Sequence, residues 1–63
     1  NAIVVDEQSR YVVIDTNRII NAATGVWLKP GVINCVVLDN LFSGSKYHDI
    51  LTVGAVNPTI RKL

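Results

Sequence analysis

Short runs of Val, Ile and Leu recur along the chain, each closed by a cluster of polar and turn-forming residues. Runs of about four to eight β-branched residues bounded by Gly, Pro, Asn, Asp or Ser predict strands with short connections. They fall at residues 2–5, 10–14, 18–22, 25–28, 31–38 and 47–53. The turns between them have separate physical reasons. Asp6-Glu7-Gln8-Ser9 is polar and suits a loop between two Val-rich strands. Asp15 and Asn17 carry short side chains that bond nearby amides and tolerate left-handed backbone. Lys29-Pro30-Gly31 predicts a type II turn, in which Pro sets the first central φ and Gly accepts the positive second one.

The stretch GVINCVVLDN, residues 31–40, is apolar on both faces when drawn as one strand. Val32, Asn34, Val36 and Leu38 share one side, while Ile33, Cys35 and Val37 share the other. Such a strand needs cover on two sides. Asn34 then stands in an apolar setting and needs a hydrogen-bond partner across the sheet, on a neighbouring chain or in water. An echo of apolar residues ending in Asp appears at Val5-Asp6, Ile14-Asp15 and Leu38-Asp39. Its spacings are unequal, and a solenoid needs a fixed period, so the Asp residues read as strand terminators.

Residues 43–53 admit either a short helix capped by Ser45 or a last strand, and the strand is preferred because Gly44 and Gly54 confine any helix to about two turns. Beyond Gly54, Pro58 lacks an amide donor and the end is basic, which reads as an extended arm with Ile60 and Leu63 as apolar anchors. The expected fold is all-β: a small meander or partly open barrel or sandwich of about five or six short strands. One β domain occupies residues 1–54, and the arm occupies 55–63.

Size turns this pattern into a question of stability. For 63 residues the scaling of surface with mass gives about 4,000 Å² folded and about 6,000 Å² buried. At about 60% apolar area that burial contributes roughly 90 kcal/mol. Ordering the chain costs roughly the same, so the balance lies near zero. Small proteins close such a gap with disulfides, metal or association. Cys35 is the only cysteine and His48 the only histidine, so neither an internal disulfide nor a closed zinc site is available. Association is left. Composition agrees, with 49% hydrophobic and only 17% charged residues. The net charge of +1 with scattered basic residues argues against nucleic acid as a main partner. No apolar run reaches the ~18 residues of a membrane helix. No signal peptide is expected, and Asn1 reads as a processed end or a fragment boundary.

Candidate chemistry is sparse. Ser43, Ser45, His48 and Asp49 contain the ingredients of acyl transfer, but adjacent His48 and Asp49 point to opposite faces of a strand. Cys35 sits among Ile33, Val36 and Val37 and reads as a buried, inert thiol. Trp27, Tyr11, Phe42 and Tyr47 lack the basic groove of a base-stacking platform, so packing is the preferred role. The four glycines form no phosphate loop, and no metal or cofactor site is expected. The chain therefore reads as non-enzymatic. The leading expectation is a structural assembly subunit, such as a viral or phage capsid decoration, cement or minor virion protein, in a virion or host cytoplasm. It would bury apolar β surface against protein neighbours through Trp27, Ile33, Val37, Ile60 and Leu63, with Val12, Ile14 and Val36 in core or contact. The alternative is a small β-barrel that binds a peptide or oligonucleotide.

Overall fold

A computed structural model describes residues 1–63, and every regular element in it is a strand. The strands are β1 (Ile3–Val5), β2 (Val13–Asp15), β3 (Arg18–Ile20), β4 (Thr24–Leu28), β5 (Val36–Leu38), β6 (Leu41–Ser43), β7 (His48–Leu51) and β8 (Thr59–Arg61). The all-β expectation holds, and residues 43–53 contain a strand and no helix. The connectivity is not that of a meander or barrel. Consecutive strands never pair; each pairs in parallel with the strand three elements on, giving sheets β1-β4-β7, β2-β5-β8 and β3-β6. Ile3 lies over Val26, Val13 over Val36 and Arg18 over Leu41, a step of 23 residues, while Val26 and Ile50 pair at a step of 24. Parallel neighbours need a long crossover. Here two further strands and their corners provide it, so the chain winds as a parallel β-helix of two full coils and part of a third.

Left-handed residues make the corners. Tyr11, Asn34 and Asn57 have φ of 58°, 54° and 49°, Thr16 and Asp39 have 56° and 53°, and Asn21 stands below Gly44 at 57° and 73°. Their amides reach the next coil: Tyr11 N donates to Ile33 O (3.0 Å), Asn34 N to Val56 O (2.9 Å), Thr16 N to Leu38 O (3.1 Å) and Asp39 N to Arg61 O (2.8 Å). The turn at Lys29-Pro30-Gly31 forms as expected, with φ of 92° at Gly31 and Val32 N donating to Lys29 O at 3.3 Å.

These corners resolve the two-faced stretch. Residues 31–38 are not one strand; Asn34 bends the chain, and only Val36–Leu38 continues as β5. A left-handed residue breaks the alternation of faces, so Val32 points inward before the corner and Cys35 and Val37 point inward after it. All three are buried. Val32 of the even set and Cys35 and Val37 of the odd set thus share one interior, while Ile33, Val36 and Leu38 stay half-buried.

That interior is a stack of ladders. Ile3, Val26 and Ile50 form one, Val5 and Leu28 a second, Ile14, Val37 and Ile60 a third, and Ile19 and Phe42 a fourth. Two polar residues are buried, Thr24 at 6% and Asn40 at 3% exposure. For Asn40 the partners are on the adjoining coil. Its Nδ2 donates to Ile14 O (3.0 Å), and its Oδ1 accepts from Asn17 N (2.8 Å) and Asn17 Nδ2 (3.1 Å), which ties coil 2 to coil 1. Folded accessible surface is 3939 Å², matching the value that size alone implies. Residues 55–63 do not leave the body as an arm: Val56 bridges Ile33, and β8 lies on β5. They are extended because they begin the second side of coil 3.

Candidate assembly surfaces at the coil ends

A parallel β-helix has no free edge along its sides but has two at its ends. The edges of β1, β2 and β3 are open at the N-terminal end, and those of β7, β8 and β6 at the C-terminal end. Flanking β2, Val12 O and Thr16 N bond the coil above. Since alternate residues of a parallel strand face the same neighbour, the backbone groups of Val13 and Asp15 face outward. At the other end, Gly44, Asn57 and Lys62 occupy corner positions whose amides would reach a further coil, and they make no backbone hydrogen bond.

The two ends differ in apolar exposure. Val5, Ile14 and Ile19 of coil 1 are already buried, closing the N-terminal end across a narrow interior. Coil 3 has two strands of three, so Phe42 of β6 has no residue above it and is only half-buried. Ile60 is 38% exposed although its ladder points inward, and Leu63, 23 residues on from Asn40 in sequence, is 78% exposed. Apolar residues also line the outside: Val4, Trp27 and Leu51 stack on the outer face of β1-β4-β7, with Lys29 Nζ 5.2 Å from the Trp27 ring.

Charge is arranged at the corners. Asp39 takes both arms of Arg61, from Nε to Oδ1 at 3.0 Å and from Nη2 to Oδ2 at 2.7 Å. This holds the Asp39 carboxyl below the usual carboxylate range and raises the Arg61 guanidinium. Asp6 is also lowered, first by the Glu7 amide and then by Lys29 at 3.5 Å. Lys62 pairs with Asp49 at 3.5 Å.

The five expected contact residues separate. Ile60 and Leu63 lie together at the open C-terminal end, Trp27 is half-buried on an outer face, and Ile33 is half-buried between Arg10 and Val56. Val37 is corrected: at 1% exposure it belongs to the chain's own core, because the Asn34 corner turns it inward. Ser43 lies on β6 and His48 and Asp49 on β7, in different sheets, with Asp49 engaged by Lys62. Cys35 is buried as expected. The surface has no pocket, and no three His, Cys, Asp or Glu residues converge. Sequence reasoning missed the open edge of β6 and the Asn17–Asn40 bond. The signal for both was the equal 23-residue step that aligns Asn17 with Asn40 and Asn34 with Asn57. No protein-family model, curated protein or solved structure matches the chain.

Proposed function

We propose that the chain is a structural module that enters a protein assembly through the open ends of its coil. The observation that carries this reading is the C-terminal end, where three strand edges stand unpaired beside Phe42, Ile60 and Leu63. Solenoid coils bury their interior by stacking on neighbours, and terminal coils are normally capped by polar faces. Here ladder residues lie beside the open edges. Unpaired edges of this kind are templates for strand addition, which gives affinity through main-chain hydrogen bonds and selectivity through alternate side chains.

Sedimentation velocity on the purified chain across the micromolar range tests the proposal. The expected result is a sedimentation coefficient that rises with concentration. A cooperatively folded species that stays monomeric throughout that range would overturn it.

A further inference from the structure

Building on that reading, we infer that the occupant of the open C-terminal end is the N-terminal end of a second copy of this chain, stacked head to tail. Polarity requires the order. All strands are parallel, so continuing the coil places β1 of the second copy on β7 and β2 of the second copy on β8. The internal registers, carried one step further, set Ile14 of the second copy on Ile60, extending the Ile14–Val37–Ile60 ladder. The free amides of Asn57 and Lys62 then meet the carbonyls of Arg10 and Asp15 of the second copy, as Tyr11 and Asp39 amides meet Ile33 and Arg61 carbonyls within one chain.

Charge favours the same arrangement. Residues 1–23 carry three acids and two bases, whereas residues 46–63 carry three bases, Lys46, Arg61 and Lys62, and one acid, Asp49. The outward ladder Asp15–Leu38–Arg61 continues into Asp15 of the second copy, which places that carboxylate beside Arg61 on the side opposite Asp39. Two sheets continue across the junction. The third sheet, β3-β6, has two strands, and these registers do not carry it across the junction. The contact is heterologous and does not close on itself, so it extends into linear stacks.

Charge exchange tests this. Asp15→Arg and Arg61→Asp each set like charges against each other in a homotypic stack, while the two variants mixed present opposite charges at both junctions. Sedimentation velocity at low salt is expected to show loss of association for each variant alone, recovery in the equimolar mixture, and wild-type growth beyond the dimer. Arg61→Asp also removes the bond to Asp39, so Val13→Pro provides an independent arm. It deletes an outward-facing amide from the β2 edge at a side chain 61% exposed, and is expected to abolish wild-type association while leaving the circular dichroism spectrum unchanged. Association that stops at a dimer, or that ignores both the charge exchange and Val13→Pro, overturns the head-to-tail stack and leaves the assembly reading standing. Absence of any association overturns both.

Discussion

Replacing Asn40 with Leu should cost about 2–4 kcal/mol of folding stability. Leu keeps most of the volume, and the residue 23 positions on in sequence is already Leu63. What is lost is polar: the donor to Ile14 O at 3.0 Å and the acceptor for Asn17 N and Nδ2 at 2.8 and 3.1 Å. An intramolecular hydrogen bond is worth about 1 kcal/mol net, and a buried group left without a partner costs about 1–3 kcal/mol. Total stability for a chain of this size is only about 3–9 kcal/mol, so the substitution removes a large share. With a urea slope of about 1 kcal/mol per M, the midpoint should fall by about 2 M or more. The measurement is urea unfolding followed by circular dichroism at one low, fixed protein concentration, because association would add to apparent stability. Asn17→Ala alone removes the part-buried bond to Asn40 Oδ1 and the exposed one to Asp15 O, leaves the Asn17 N bond in place, and should cost about 1 kcal/mol. Added to Asn40→Leu it should cost less than it does alone, since only the bond from Nδ2 to Asp15 O is left to lose. A midpoint shift below about 0.5 M for Asn40→Leu would show that the inter-coil bond does not hold coils 1 and 2 together.

Three other outcomes follow from single positions. Tyr11 is 67% exposed at φ 58°, a conformation Asn tolerates better than Tyr, so Tyr11→Asn should raise the urea midpoint by about 0.5–1 kcal/mol equivalent; an unchanged or lower midpoint counts against the corner assignment. Gly25→Ala places a Cβ 2.5 Å from both Asp49 O and Phe42 Cε1, and should destabilise by about 1–3 kcal/mol in thermal unfolding; a neutral result means that coils 2 and 3 are less closely packed than described. Asp39 and Asp6 both have folded pKa values below the ordinary 3.8, so their contribution is present above that value and is lost as pH falls through the lower folded one. Stability measured from about pH 5 down to pH 2 should therefore fall, and Asp39→Asn should flatten the slope; an unaltered slope contradicts the Arg61 pairing.

Some of the protein was legible residue by residue. β-Branched runs favour extended backbone wherever they occur, and Pro30-Gly31 sets a turn through its own dihedral limits. The all-β class, the rough places of six strands, the Lys29-Pro30-Gly31 turn and the buried Cys35 follow from such local preferences. Two strands escape such preferences: β6 is only Leu41–Ser43 beside polar loops, and β8 follows a proline that favours an extended arm. The Asp echo also misled, for Asp15 lies under Leu38 while Asp39 lies over the Thr16 corner. Aligning the acids shifts the coils by one residue and hides the 23-residue step.

Pairing was decided only in three dimensions. Nothing local tells Val13 to lie beside Val36 rather than to fold back on its nearest neighbour. That choice depends on corners at Tyr11, Thr16 and Asp39, of which only Asp39 is a residue type that readily takes left-handed backbone. They adopt it because each corner amide then finds a carbonyl on the adjoining coil and the apolar ladders come into line. The same tertiary choice put Val37 in the core rather than at a contact with a neighbour and left Ile60 and Leu63 at an open end. A side chain's face on a strand is local, but which face becomes interior depends on how many corners precede it, and only the wound chain counts them.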